Sequence, residues 1–173
     1  MSTGRSGDAR HDLGDCSNIV AESVGRPGQR TFRLRATCAR GNALVWLEKQ
    51  QLYDLAISIK QVLKREVRTG AVPVEQAPPS PRADHDFRAM RLAIGHDAAR
   101  NRYVFYASPT DDDLPHAIKF TLTESQLDDV ADQALDVHAG GRPKCPLCGA
   151  ALNEGEEHHC PRSNGHSKRE AIR

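Results

Sequence analysis

Apolar and polar residues alternate along residues 31–37, so that Phe32, Leu34 and Ala36 point to one side and Thr31, Arg33 and Arg35 to the other. A period of two residues predicts a half-buried β-strand. Turns rich in glycine, proline or polar residues separate this strand from similar apolar runs. We therefore predict further strands over residues 17–24, 43–47, 87–94, 102–107 and 118–122.

From Glu48 onward the apolar residues recur every three to four positions, which is the spacing of one face of an α-helix. A second stripe of this kind predicts a helix over residues 124–138. Thr123 and Gln126 form a Thr-x-x-Gln capping box at its start, and Gly140 and Gly141 follow its end. The two stripes are Leu52, Leu55, Ala56, Ile59, Val62 and Leu63, and Leu127, Val130, Ala131, Ala134 and Leu135.

The two predicted helices begin in similar sequence. Ten residues from Leu47 align with the ten from Leu122, which lies 75 positions later, and Leu, Gln, Leu, Asp and Ala recur in place. We predict an α+β fold of two duplicated βββα units, whose strands form one antiparallel sheet with both helices on one face. Chance similarity between short amphipathic helices is the alternative interpretation.

Three of the five cysteines lie near the carboxyl end, in Cys145-Pro-Leu-Cys148-Gly and His158-His159-Cys160. Two cysteines on a Pro/Gly turn can direct both sulfurs to one point, and a His and a Cys from a later turn complete a tetrahedron of N and S donors. We predict that Cys145, Cys148, His158 and Cys160 bind Zn²⁺, with His159 as the alternative to His158. Four protein ligands exclude water from the metal, so the predicted zinc knuckle is structural.

The polar, glycine-rich amino terminus predicts a disordered tail, and four prolines in the middle of the chain predict an extended linker between the two halves. The predicted boundaries are 1–14 for the tail, 15–139 for the α+β domain with halves 15–68 and 85–139, 69–84 for the linker, 141–166 for the zinc knuckle and 167–173 for a basic tail.

Composition restricts the location and the partners. No apolar run approaches the roughly 20 residues that cross a bilayer, and the first residues lack the apolar core of a signal peptide. We therefore expect a soluble cytoplasmic protein without a membrane partner. Cys16 and Cys38 stand apart from the cysteine cluster, and we expect both to be buried as free thiols in a reducing compartment.

Charge suggests other contacts. Arg30, Arg33 and Arg35 line the polar side of the predicted sheet, and Glu48 and Lys49 stand where a strand becomes a helix. Such a set could contact an anionic ligand or a partner, although exposed sheet faces are commonly charged. The net charge is only +1, and no aromatic residue for base stacking follows Phe120.

Familiar catalytic motifs are absent from the sequence, including a Gly-x-Ser-x-Gly elbow, a phosphate loop and a His-Glu-x-x-His pair. The leading interpretation is therefore a zinc-containing cytoplasmic binding or adaptor protein with a protein partner, rather than an enzyme. One alternative is a nucleic-acid-binding protein that uses the basic sheet face and the knuckle. Another is an enzyme or enzyme subunit that acts on a phosphorylated small molecule around Arg30, Glu48 and Lys49.

The segments that carry a family resemblance are residues 24–32, 47–51, 87–88, 141–149 and 158–165. Together they resemble an uncharacterised actinobacterial and chloroflexal family, the domain of unknown function numbered three-thousand-and-ninety. The resemblance implies no assigned activity. It implies a pathway shared with a histidine-phosphatase-like protein and a phosphatidylinositol-kinase-like protein. The chain departs from the family pattern in its amino-terminal tail, its short acidic loop and the pair Ala89-Met90.

Overall fold

A computed structural model describes residues 9–26, 28–67, 82–112, 115–140, 145, 147–149 and 158–162. Within these residues the predicted α+β class is confirmed, with a seven-stranded sheet and two helices. The elements are β1 (Ala9–Val24), β2 (Thr31–Cys38), β3 (Gly41–Leu47), α1 (Lys49–Val62), β4 (His85–Arg88), β5 (Arg91–Asp97), β6 (Arg102–Ser108), β7 (His116–Leu122) and α2 (Glu124–Ala139).

The sheet has the strand order β4-β3-β2-β1-β7-β6-β5. Strands β1, β2 and β3 form one antiparallel meander, and β5, β6 and β7 form another. The pairs β1–β7 and β3–β4 are parallel, so the expectation of an antiparallel sheet is wrong at these two places. The first and third strands of a meander run in the same direction. If the two meanders lie side by side in the same orientation, the first strand of one runs parallel to the third strand of the other where they meet.

Strand β1 begins at Ala9, so the expectation of a disordered tail is wrong for residues 9–14. Its first half pairs with β7, with Ala9 opposite His116, and its second half pairs with β2. The pairing partner of the first half lies about a hundred residues away in sequence, and no local pattern announces it. Gly14, with a φ of 74°, lies in the stretch where β1 changes its partner.

The predicted strand over residues 87–94 is two short strands, β4 and β5, separated by Ala89 and Met90. Strand β4 pairs with β3 and β5 pairs with β6, at opposite ends of the strand order. The Ala89 N–H donates to the carbonyl of Trp46 on β3, and the Met90 N–H donates to that of Ser108 on β6, at 2.9 and 2.8 Å. The sheet therefore curls until one chain segment joins its two edges.

The two halves share an arrangement of strands. In each, the first strand pairs at its start with the third strand of the other half, in parallel, and then with its own second strand, antiparallel. In each, the third strand leads directly into a helix. This arrangement agrees with the predicted pair of βββα units, and the origin of the units by duplication stays a prediction.

Both helices bury their apolar stripes in the same core as the sheet. Phe105 and Phe120 stack at its centre, with ring centroids 4.9 Å apart. The predicted stripe residues are buried, except that Val62 at the end of α1 is 53% exposed. No helix among the described residues is long and apolar enough to cross a membrane.

Cys16 and Cys38 lie opposite each other on β1 and β2 and form a disulfide, so the expectation of two separate free thiols is wrong. The two cysteines are 22 residues apart in sequence, and only the register between β1 and β2 places them opposite each other. Most of the predicted linker 69–84 and knuckle 141–166, and all of the basic tail 167–173, lie outside the described residues.

Candidate metal centre

Four side chains near the carboxyl end converge on one point. The ligand atoms of Cys145, Cys148, His158 and Cys160 all lie within 4.8 Å of one another. His159, the alternative considered for His158, does not belong to this group. Zn²⁺ in a tetrahedron with Zn–S bonds of about 2.3 Å holds its sulfurs roughly 3.8 Å apart, so the donor set and its spacing both fit this ion.

A short turn brings the first two cysteines together. The Gly149 N–H donates to the Cys145 carbonyl at 2.8 Å. Gly149 has a φ of 72°, which residues other than glycine rarely adopt. Residues 158–162 contact this turn in two places. The Nε2 atom of His158 lies 3.1 Å from the Cys148 sulfur, and the Arg162 Nη1 donates to the Leu147 carbonyl at 3.4 Å.

The turn also favours the ionised thiol. The backbone N–H of Cys148, followed by that of Leu147, lowers the pKa of the Cys145 thiol from 9.0 to about 6, against the opposing effect of burial. The sulfurs of Cys148 and Cys160 contribute further in the same direction. Because metal ions bind the thiolate, these N–H donors prepare the site for a cation.

The cluster follows closely on the end of α2. Arg30, at the close of the β1–β2 turn, donates from Nη1 to the Gly140 carbonyl at 3.1 Å. A cation at the carboxyl end of a helix also interacts favourably with the helix dipole. The ring of His138 in the last turn of α2 contacts that of Tyr53 on α1, with centroids 4.8 Å apart. Arg30, predicted as an anion or partner contact, therefore fastens the point from which the knuckle starts.

Arg33 and Arg35 bind a carboxylate of the same chain. Glu22 on β1 accepts from both guanidinium groups, with Arg33 Nε at 2.8 Å from one oxygen and Arg35 Nε at 2.7 Å from the other. Arg33 also lies over the Trp46 ring at 5.1 Å and is 3% exposed. The expectation of a solvent-facing Arg33 is therefore wrong, because a carboxylate and an aromatic ring on neighbouring strands cover it.

Glu48 and Lys49 lie at the start of α1. Glu48 is the N-cap residue, forms a reciprocal capping box with Gln51 and makes an ion pair with Arg88 of β4. Lys49 is the first residue of the helix. The structure thus separates the predicted contact residues among the end of α2, the Glu22 pair and the cap of α1, and none of them belongs to the metal cluster.

Sequence reasoning missed Glu22 and Lys60. Glu22 is buried within the strand predicted over residues 17–24, where a single charged residue gave no sign of its role. Lys60 is buried between the helices, where Asp128 and Asp132 both approach its Nζ at 2.6 Å. A helical wheel could have found Lys60, because it falls one turn after the buried Ala56.

A comparison with protein-family models matches residues 11–160 to a family described as "Protein of unknown function (DUF3090)". The chain belongs to this family. The match confirms the resemblance found in the sequence, and it includes the four residues of the metal cluster. Searches of curated proteins and of solved structures found no match. Since membership of this family assigns no activity, function has to be argued from the site.

Proposed function

We propose that this chain is a cytoplasmic binding protein in which a structural Zn²⁺ folds the carboxy-terminal knuckle and so presents it to a protein partner. The observation that carries the proposal is the convergence of three sulfurs and one imidazole within 4.8 Å. Cys145, Cys148, His158 and Cys160 would hold the ion. Zinc with four protein ligands supplies cross-linking rather than an activated water.

Leu147 is the residue of the knuckle that best suits a partner contact. It stands between two of the cysteine ligands and is 55% exposed. A metal-bound turn would hold this apolar side chain in one position, and preorganised apolar side chains lose little freedom when they bind. The knuckle would therefore offer a rigid apolar contact to a protein.

The two alternatives receive less support from the described residues. A basic sheet face for nucleic acid is weakened because Arg33 and Arg35 bind Glu22, and Arg40 pairs with Asp12 at 2.7 Å. A site for a phosphorylated small molecule around Arg30, Glu48 and Lys49 is weakened because Arg30 and Glu48 serve a helix end and a helix cap.

Metal analysis of neighbouring histidine variants tests the zinc site. We expect about one zinc per purified wild-type chain, and loss of most of it in His158→Ala and Cys148→Ser, because each variant removes a ligand. His159→Ala is the matched control and should keep its zinc. Full zinc content in His158→Ala and Cys148→Ser would refute the ligand set.

Affinity capture from the native cells tests the partner, with mass spectrometry of the captured proteins. Leu147→Asp should keep its zinc and lose a protein that the wild type captures. Met90→Asp is the control, because Met90 is equally apolar, is 61% exposed and lies at the β4–β5 junction. If Leu147→Asp and the wild type capture the same proteins, the knuckle is not the contact, even where the zinc measurement succeeds.

A further inference from the structure

One edge of the sheet is open in the described part of the chain. Strand β5 pairs with β6 on one side and with no described strand on the other. The corresponding second half of β1 is covered, because Gln133 of α2 accepts the Ala21 N–H at 3.1 Å. Burial follows this difference: Ile19 and Ala21 are buried, whereas Ile94 of β5 is half-exposed.

The β5 edge also lacks three features with which proteins commonly protect such edges, which are proline, lysine and a β-bulge. The strand contains no proline and no lysine, and its register with β6 runs from Arg91 to Asp97 without a bulge. An unprotected edge presents unpaired N–H and C=O groups that a further strand can bind. The sequence of β5 indicates which strand that is.

Strand β5 is complementary to itself. When two copies of a strand pair antiparallel about a two-fold axis perpendicular to the sheet, each residue lies opposite one of the other copy. The side chains of two opposed residues then lie on the same face of the sheet. With the axis at Ile94, all seven residues find a partner, and Arg91 of each copy lies opposite Asp97 of the other. Moving the axis by one residue in either direction leaves both of these charges without an opposite charge. The remaining rungs pair Leu92 with His96 and Ala93 with Gly95.

We propose that a second copy of this chain binds along β5, antiparallel and centred on Ile94, so that two sheets join into one. Backbone hydrogen bonds would supply the affinity, and the two Arg91–Asp97 pairs would fix the register. Arg91 also donates to the Asp112 carbonyl, and Asp97 accepts from the Ala99 and Arg100 N–H groups. The Nε of Arg91 is buried and Arg100 Nε lies 4.0 Å from Asp97, so the additional bond would use an Nη group of Arg91 and a remaining lone pair of Asp97.

Sedimentation equilibrium of the zinc-loaded full chain is the first test. The wild type should dimerise reversibly as its concentration rises. Ile94→Lys should weaken the dimer by about tenfold or more, because two ammonium groups then meet at the axis. A wild type that stays monomeric up to its solubility limit would overturn the proposal, as would a dimer that Ile94→Lys leaves unchanged.

A charge exchange tests the register. Arg91→Asp and Asp97→Arg should each weaken self-association, because each places like charges opposite one another twice. An equal mixture of the two variants should associate again as a heterodimer, since both rungs that join residues 91 and 97 then pair opposite charges. If the mixture is no stronger than either variant alone, the register is wrong.

Cysteine cross-linking tests the same register without changing a charge, with circular dichroism as a check that each variant folds. Ile94→Cys lies opposite its own copy and should form a covalent dimer on mild oxidation. His96→Cys is the matched control: it is more exposed, lies on the same face and faces Leu92 of the other copy, so it should not link to itself. Cross-linking of His96→Cys but not of Ile94→Cys would exclude the proposed axis.

Discussion

At the scale of single residues, the helices are joined by a buried charge. Lys60 of α1 is 2% exposed and lies between the carboxylates of Asp128 and Asp132 on α2. Burial alone would lower the pKa of Lys60, but hydrogen bonds to Asp128 and Asp132 outweigh it, and the pKa is raised above 10.5. Lys60 is therefore charged when the helices pack, and the two acidic residues depend on it.

Removing the ammonium group of Lys60 alone should destabilise the chain more than removing all three charges of Lys60, Asp128 and Asp132 together. We expect Lys60→Met to lower the free energy of unfolding by about 3 kcal/mol, because it leaves the carboxylates of Asp128 and Asp132 with no described cation nearer than Arg65, whose Nε lies 3.9 Å from Asp128. The Lys60→Met/Asp128→Asn/Asp132→Asn variant should recover much of this loss. Urea unfolding measures both, and equal losses in the two variants would show that packing of the Lys60 side chain, not charge, is what matters.

At the scale of elements, both helices begin in the same way. Gln51 and Gln126 each accept the N–H of the N-cap residue at 2.9 Å, and each donates from Nε2 to a carbonyl on a nearby segment. That carbonyl belongs to Ala89 for Gln51 and to Cys16 for Gln126. Each helix thus has one glutamine that caps its first turn and also binds a strand segment. In both cases this segment is where the chain changes from one strand partner to another: Ala89 lies between β4 and β5, and Cys16 lies where β1 passes from β7 to β2.

Gln126→Ala should therefore cost more than the loss of a helix cap alone. We expect a decrease of about 2 kcal/mol in the free energy of unfolding, because the N–H of Thr123 and the carbonyl of Cys16 both lose a partner. Gln50→Ala is the control, since Gln50 is exposed and bonds only Asp54 of its own helix among the described contacts. Similar unfolding midpoints for the two variants would contradict this role.

The same elements show what the sequence could reveal. Periodicity predicted both helices and the meander strands other than β5, and the Thr-x-x-Gln motif predicted the capping box at Thr123. These features depend on neighbours a few residues away, whereas the division of residues 87–94 between β4 and β5 depends on two distant partners. The parallel pairing of β1 with β7 depends on residues about a hundred positions apart, so polar residues such as Arg10 and Asp12 were taken for a tail. The cysteine spacing predicted that Cys145, Cys148, His158 and Cys160 converge, as they do, and their binding of zinc stays a prediction. The Cys16–Cys38 pair required a register that only the folded sheet supplies.

At the scale of the whole molecule, the metal cluster and the hydrophobic core are separate. Among the described residues, the core extends no further along the chain than Val137, and it includes none of the four metal-cluster residues. The link between the two is the end of α2, which Arg30 holds. Folding of the sheet and helices should therefore not require the knuckle.

Deletion of residues 141–173 tests this separation. The shortened chain should keep its circular dichroism spectrum and unfold cooperatively, because its apolar burial is retained. Chelation of zinc from the full chain should likewise leave that transition in place. A shortened chain without a cooperative transition would show that the knuckle belongs to the core.

The pairing of β1 with β7 has a consequence for how the chain is made. Ala9 lies opposite His116, so more than a hundred residues must leave the ribosome before the first strand gains its second neighbour. Until then the amino-terminal meander and α1 can form and β4 can pair with β3, but the first half of β1 has no partner. Completion of the sheet is therefore a late event in biosynthesis, and the newborn protein carries an unfinished edge that chaperones can recognise.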